Sequence, residues 1–242
     1  GLPRENIWVT DLAGVVYEGR TELMDEDKIQ FAQKTSARKL ADVIAGADIF
    51  LGLSAGGVLK PEMVKSMAAQ PLIFALANPN PEILPEEVKA VRDDAIMATG
   101  RTDYPNQVNN VLCFPYIFRG ALDCGATTIT VEMEIAAVHA IAELAQAEQS
   151  EVVAAAYIGA NLSFGPEYLI PKPFDPRLMM KIAQAVARAA ADSGVASRPI
   201  KDLDAYREKL ESFVYASGTT MKPIFTIAKA AKRKRVAYAE GE

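Results

Sequence analysis

The sequence predicts a doubly wound α/β domain with a parallel sheet, followed by a helical C-terminal layer. Short apolar runs alternate with helix-forming stretches up to Thr99, and helical spacing dominates from Asn109 onward. The apolar runs lack the polar alternation of a half-exposed strand. Strands that are apolar throughout are typical of a parallel sheet covered by helices on both faces.

Apolar runs that end at a turn or a helix start are predicted to be the strands. They are Ile7 to Asp11, Ala47 to Ser54, Leu72 to Ala77 and Ala95 to Thr99. Strands alternating with helices in this way are typical of a Rossmann-like sheet. The glycine-rich turn that follows the first strand of such a sheet is not found before Ile7. We therefore expect a Rossmann-like sheet that lacks its first strand.

Helices are predicted between and after these strands. Pro61 and Pro85 each suit the first turn of a helix, where a missing N–H costs nothing. Gly125 and Gly194 stand where helix ends belong. The predicted helices are the later half of Glu22 to Ala45, Lys60 to Ala69, Pro85 to Asp93, Val111 to Gly125, Glu132 to Glu148, Pro176 to Ser193, Leu203 to Ala216 and roughly Lys222 to Lys234.

Composition narrows the classes of function. The 242 residues are 50% hydrophobic, which is enough for a real core, and the net charge of −5 argues against a nucleic-acid partner. No apolar run approaches the roughly eighteen residues of a membrane span, so we expect a cytoplasmic protein. Cys113 and Cys124 have no neighbouring His or Cys cluster, and we expect reduced thiols and no metal site.

Ligands of an open α/β sheet bind beyond the carboxyl ends of its strands. Asp11 ends a predicted strand, where an acid can accept hydrogen bonds from the ribose of an adenosine. Ser54 and Ala55 follow another strand and lead into Gly56 and Gly57, small residues that allow a flat ligand close to the backbone. In both cases the alternative is an ordinary turn.

Two further asparagine positions are candidates. Asn78 lies between a strand and a Pro-x-Pro turn, so that its amide presents a donor and an acceptor, or merely closes an Asx turn. Asn109 and Asn110 precede an apolar helix, and we expect one of them to be its N-cap. A helix start also attracts carboxylates and phosphates, which gives Asn110 a possible binding role. The lone His139 is expected to be a packed or surface helix residue.

These segments carry a resemblance to a known family. Ser54 to Leu59, Ile73 to Pro79 and Tyr104 to Asn110 resemble malic enzymes in order and spacing. Phe164 to Pro171 is similar to the helical tail of large bacterial malic enzymes. In that subgroup a phosphotransacetylase-like domain follows, and Lys234 to Glu242 resembles its first strand.

The resemblance implies a domain organisation and a set of partners. Residues 1–130 are expected to form a partial NAD(P)-binding domain, 131–233 the helical C-terminal region, and 234–242 the start of the phosphotransacetylase-like domain. L-malate and pyruvate are the implied substrate and product. The implied macromolecular partners are the preceding and following parts of the same protein, in a homo-oligomer without nucleic acid or membrane.

The resemblance also implies the chemistry. Malic enzymes oxidise L-malate by hydride transfer to NADP or NAD and decarboxylate the product, with Mg or Mn as Lewis acid. When the functional residues of malic enzymes are matched to this sequence, no catalytic residue and no metal ligand has a counterpart here. The isolated chain is therefore predicted to be inactive. The alternative is a non-catalytic dinucleotide-binding or regulatory module. The implied cofactor-binding residues are Asp11, Ser54, Ala55, Asn78 and Asn110, of which Asn78 and Asn110 are also implied to bind the substrate.

The bacterial subgroup favours NADP over NAD as cofactor. Asp11 would repel a 2′-phosphate unless neighbouring cations balance its charge. Arg20, Lys28, Lys34 and Arg38 are the candidate cations.

Overall fold

The computed structural model describes residues 1–148, 153 and 162–214 of the chain. The chain divides into two compact units, the first comprising Gly1–Asn109 and Tyr157–Ile170. The second unit comprises Asn110–Ala156 and Pro171–Glu242.

Two predictions concern the end of the chain. The helix expected from Lys222 to Lys234 and the strand expected within 234–242 both lie outside the described residues.

The first unit is built on a parallel sheet. The strands of the first unit, in chain order, are β1 (Thr10–Asp11), β2 (Gly14–Val15), β3 (Ile49–Gly52), β4 (Leu72–Ala75) and β5 (Ile96–Thr99). The last three form the parallel sheet. β4 lies between β3 and β5 and is parallel to both. The last residues of the three strands pair in register, so their carboxyl ends lie along one edge of the sheet. The predicted α/β class and parallel sheet are confirmed.

The first predicted strand behaves differently from the prediction. β1 pairs antiparallel with β2 in a hairpin and does not join the parallel sheet. Turn chemistry explains the hairpin, because Asp11 accepts a hydrogen bond from the backbone of Ala13 at 2.9 Å. Gly14 has a φ of +93°, and a Cβ there would overlap the carbonyl group of Arg38. Only glycine allows the chain to turn so tightly at this point.

The helices of the first unit are short. They are α1 (Glu26–Ile29), α2 (Leu40–Val43), α3 (Pro61–Ser66) and α4 (Pro85–Lys89). Pro61 and Pro85 occupy the first turns of α3 and α4, as predicted. The helix predicted for the later half of Glu22 to Ala45 is reduced to α2. The chain before α2 is engaged elsewhere, since Gln33 exchanges backbone hydrogen bonds with Val16 and Glu18.

One face of the sheet carries the core of the first unit. The prediction of a sheet covered on both faces was wrong for β3, since Ile49 and Leu51 are 53% and 59% exposed in the structure. Along β3 buried and exposed residues alternate. The buried cluster comprises Ile44, Phe50, Leu59, Val64, Met67, Ile73, Ala75, Ile83 and Val88.

The second unit is helical, as predicted. Its helices are α5 (Phe114–Asp123), α6 (Val131–Gln146), α7 (Arg177–Asp192) and α8 (Leu203–Val214). α7 packs against both α5 and α6. Its contact with α5 is close, because a Cβ on Gly120 would lie 2.5 Å from the carbonyl oxygen of Ala183. No helix in the described ranges is long and apolar enough to span a membrane.

Candidate functional site

The edge formed by the carboxyl ends of β3, β4 and β5 carries the predicted strand-end residues. Ser54 and Ala55 follow β3, Asn78 follows β4, and all three are exposed. The Asn78 amide lies against the residue after β5, because a Cβ on Gly100 would be 3.1 Å from both Nδ2 and Oδ1 of Asn78. The structure therefore brings Ser54, Ala55 and Asn78 to one edge, as the topology predicts.

Asn78 presents an unused amide. The Asn78–Pro79 peptide bond is cis, and the residue is exposed. An Asx turn would require the side chain to bond to nearby backbone. In the described part of the chain the Asn78 side chain makes no such bond. Its donor and its acceptor are therefore both available to a ligand.

The small residues after β3 have a structural use. The backbone N–H of Gly57 donates to the carbonyl of Pro81 at 3.2 Å, which joins the loops that follow β3 and β4. A Cβ on Gly56 would lie 2.8 Å from the Cβ of Asn80. Gly57 has a φ of +74°, which favours glycine. Close approach between two loops of the protein therefore explains these two glycines.

A buried carboxyl group that was not predicted from the sequence lies beneath the two loops. Glu82 is 0% exposed, and its Oε1 accepts hydrogen bonds from the backbone N–H of Ser54 at 2.8 Å and the Ser54 hydroxyl at 3.4 Å. Its Oε2 accepts from the backbone N–H of Ala77 at 3.0 Å. None of the basic side chains in the described ranges forms a salt bridge with Glu82.

A glycine in β3 makes room for this carboxyl group. A Cβ on Gly52 would lie 2.7 Å from both carboxyl oxygens of Glu82. A real Cβ essentially never comes so close, so any side chain at this position would displace the carboxyl group. Gly52 within an apolar strand, together with an acid between Pro81 and Ile83, is the sequence signal that points to Glu82.

Asp11 lies in an ion-pair network within the β1–β2 hairpin. Arg20 Nη2 donates to both of its oxygens, at 2.6 and 2.5 Å, and Lys28 Nζ lies 3.0 Å from Oδ2. Burial raises the pKa of the Asp11 carboxyl, but hydrogen bonds from Arg20, Lys28 and the Ala13 backbone outweigh it and lower the pKa below its usual value. These partners use the four acceptor positions of the carboxylate. A ribose hydroxyl could bind Asp11 only by replacing one of them.

The four candidate cations have different surroundings. The Arg20 side chain is 2% exposed and also donates to the carbonyls of Gly14, Val15 and Glu22, so it cannot turn toward a ligand. Arg38 stacks over the Tyr17 ring, 3.7 Å from its centroid. Lys34 is exposed, and the Lys28 side chain is 28% exposed. Lys28 is therefore the partner of Asp11 that a ligand could displace or contact.

Asn106 fixes the segment that follows β5. It is buried with a φ of +54°, and its Nδ2 donates to the carbonyls of Met97 at 2.9 Å and Pro166 at 2.7 Å. Its Oδ1 accepts from the backbone N–H of Leu169 at 2.7 Å. One amide thus joins β5 to the Gly165–Tyr168 turn region. No role was predicted for Asn106, because Pro166 and Leu169 are distant from it in sequence.

Asn110 lies in the second unit, at the start of a 3-10 turn over Asn110–Leu112. Its side chain is exposed and makes no hydrogen bond with a described residue. α5 begins at Phe114, and its N-cap is Cys113, without a side-chain hydrogen bond. The prediction that Asn109 or Asn110 caps this helix was therefore wrong. A helix starting at Val111 would place Pro115 in its interior, where proline breaks a hydrogen bond.

Within the described residues, no group of three or more His, Cys, Asp or Glu side chains could hold a metal ion. His139 is exposed on α6, which agrees with the second of the two places predicted for it, packed or on the surface of a helix.

Comparison with known proteins identifies the family. Residues 3–156 match the family model described as malic enzyme, NAD binding domain. The chain belongs to this family. Among its relatives, one malic enzyme is named NAD-dependent and another NADP-dependent. The family assignment therefore indicates a nicotinamide dinucleotide as cofactor without choosing between NAD and NADP.

Curated relatives match over the whole chain. It is 63% identical to an NAD-dependent malic enzyme of Rhizobium meliloti (strain 1021), covering 100% of this chain and 31% of the relative. It is likewise 63% identical to the NADP-dependent malic enzyme of Escherichia coli (strain K12), covering 100% of this chain and 32% of the relative. The chain thus spans about a third of these curated relatives.

Solved malic enzymes share the fold. The crystal structure of Entamoeba histolytica malic enzyme matches with a TM-score of 0.69 and 31% identity, over 93% of this chain and 46% of that chain. That of malic enzyme from Pyrococcus horikoshii Ot3 matches with a TM-score of 0.61 and 39% identity, over 77% of this chain and 40% of that chain. The Rossmann-like class predicted from the strand pattern is confirmed.

The three hydrogen bonds of the buried Asn106 amide predict a large loss of stability in one isosteric variant. In Asn106→Asp a carboxyl oxygen would face the carbonyls of Met97 and Pro166, to which Asn106 now donates. Losing two buried hydrogen bonds and burying a charge should lower the free energy of unfolding by about 2–4 kcal/mol in urea titrations. The matched control is Asn6→Asp, at an exposed position. Equal stability of the two variants would contradict the stabilising role of the Asn106 amide.

Proposed function

We propose that this chain provides the dinucleotide-binding part of an enzyme that oxidises L-malate and decarboxylates the product to pyruvate and CO2, with NADP as oxidant. The observation that carries the proposal is the exposed, unpaired Asn78 amide at the aligned strand ends of a malic enzyme NAD-binding domain. When bound, NADP would accept the hydride that leaves C2 of malate. The chain's own residues would bind and orient the reactants.

Asn78 is proposed to contact both the nicotinamide side of the cofactor and the substrate. An amide with both its donor and its acceptor free can pair with a carboxamide or with a carboxylate. The close approach of the amide to Gly100 supports this role, because the amide thereby lies at the end of β5. Ser54 and Ala55, exposed after β3, are proposed to lie against the cofactor on the neighbouring strand end.

Asp11 is proposed to bind the adenosine ribose of NADP. Arg20 and Lys28 balance its charge, which removes the repulsion that an isolated acid would exert on a 2′-phosphate. Lys28, the more exposed partner, is proposed to release Asp11 and to contact the phosphate. This arrangement favours NADP over NAD.

The acid–base groups and the metal ligands are proposed to lie in another part of the polypeptide. The described residues do not fit a Mg or Mn site, since no group of three or more His, Cys, Asp or Glu side chains among them could hold a metal ion. Oxygen ligands from several carboxylates are what these cations require. We therefore assign no metal-dependent step to this chain.

A non-catalytic dinucleotide-binding or regulatory module is the alternative. The candidate residues of this chain are binding groups, which suits this alternative as well as the first function. Both functions require a dinucleotide, and only the first requires malate turnover.

Turnover separates the two functions. The full-length protein, with L-malate, Mn²⁺ and NADP, should give an absorbance increase at 340 nm, and NAD should support a lower kcat/KM. The isolated chain should give none, because acid–base and metal catalysis together contribute many powers of ten. A full-length protein that binds NADP and leaves malate unchanged would favour the regulatory module.

Asn110 provides a residue-level test in the full-length protein. If its side chain binds the malate carboxylate, Asn110→Ala removes a hydrogen bond to a charged group and should lower kcat/KM roughly ten- to hundredfold. Asn110→Asp should lower it further, because a carboxylate would then face a carboxylate. Since the exposed side chain has no partner among the described residues, both variants should unfold within about 0.5 kcal/mol of the wild type. An active Asn110→Asp enzyme would remove this residue from the substrate site.

A further inference from the structure

Glu82 is a buried acid that the proposed chemistry does not use. Its carboxyl group lies where β3 and β4 end, and its two oxygens serve two different segments of chain. One oxygen holds the backbone of Ser54, and the other holds the backbone of Ala77, the residue directly before Asn78. Each of these segments carries a residue proposed to contact the cofactor.

We propose that Glu82 is a positioning residue of the dinucleotide site, acting through the Ser54 backbone and through Ala77 on Asn78. The inference rests on the proposed function. Glu82 touches neither cofactor nor substrate, because it is fully buried below the two loops. It fixes the distance between the residues that touch them.

The two backbone donors that Glu82 binds, the N–H groups of Ser54 and Ala77, require an acid at this position. Ser54 and Ala77 both present backbone N–H donors, and beyond the end of a strand such donors have no ladder partner. A carboxylate offers two acceptor oxygens, whereas a glutamine offers one oxygen and one NH2 group. Glu82→Gln therefore keeps the shape and size of the side chain but sets a donor against one of the two N–H groups.

The backbone around Glu82 is arranged for the same purpose. Its own carbonyl accepts a hydrogen bond from the N–H of Leu59 at 3.1 Å, so the loop after β3 is bound at both ends to this one residue. The missing side chain of Gly52 leaves the space that the carboxyl group fills. A role in stability alone would require only that the N–H groups be satisfied. Here the two satisfied groups are those that set the place of Ser54 and Asn78.

A double-mutant cycle in the full-length protein tests the inference. The variants are Glu82→Gln, Asn78→Ala and the double variant, with Glu62→Gln, an exposed acid on α3, as the matched control. Initial rates with malate and NADP give kcat/KM, and fluorescence titration gives the dissociation constant of NADP. Circular dichroism at the assay temperature checks that each variant is folded.

Misplacing a binding group by about an ångström can cost a hundredfold in rate. We expect Glu82→Gln to lower kcat/KM roughly ten- to hundredfold, and the control to leave it unchanged. In the Asn78→Ala background the same change should cost less than in the wild type, because only the route through Ser54 remains and residues that act as a unit are not additive. If Glu82→Gln does not fold, Glu82→Asp, which keeps two acceptors but is shorter by about 1.5 Å, takes its place.

Three outcomes would overturn the inference. A folded Glu82→Gln enzyme with normal kcat/KM makes the residue purely structural, whatever its melting temperature. Full additivity with Asn78→Ala means that Glu82 does not act through Asn78, as the inference requires. An Asn78→Ala variant without effect removes the residue through which Glu82 acts. If the wild type binds NADP and does not oxidise malate, the proposed function fails instead. The same double-mutant cycle, evaluated with the dissociation constants of NADP in place of kcat/KM, then decides the role of Glu82.

Discussion

The sheet edge formed by the carboxyl ends of β3 and β4 depends on the hydrogen bonds that the Glu82 carboxyl group accepts. Parallel strands leave N–H groups without partners where the ladder stops, and a buried N–H without a partner costs free energy. Glu82 accepts from two such groups, and its backbone carbonyl binds the loop after β3 a second time. The loop that carries Ser54 and the turn that carries Asn78 therefore take their positions from one residue.

Local patterns predicted those elements whose determinants are local. Pro61 and Pro85 begin helices because the first turn needs no N–H from them, and the apolar runs that became β3, β4 and β5 pair with each other. The predictions were wrong at two places. The end of the Ile7 to Asp11 run became a hairpin because of a local turn in which Asp11 accepts a hydrogen bond from Ala13. The helix predicted after Gln33 is shortened to α2, because Gln33 forms backbone hydrogen bonds with Val16 and Glu18, a tertiary contact that overrides helix propensity.

The candidate site was predictable to the extent that topology determines it. Ser54 and Asn78 could be named because the carboxyl ends of parallel strands share an edge. Asn106 could not be named, since its partners lie up to 63 residues away in sequence. Gly52 and an acid next to Pro81 signal Glu82, but they do not reveal its partner Ser54, which lies 28 residues away. Asp11 lies at the end of its strand, as predicted, but the hydrogen bonds from Arg20 Nη2 to both of its oxygens depend on side-chain geometry that spacing does not reveal.

Amide hydrogen exchange tests the central contact most directly. It can be measured on the full-length protein by mass spectrometry with residue-level fragmentation. If the Glu82 carboxyl group holds both strand ends, the amides of Ser54 and Ala77 should exchange as slowly as that of Ala75 in β4, and Glu82→Gln should make at least one of them exchange quickly. Exchange of both wild-type amides as fast as that of the exposed Ala55 would contradict the account.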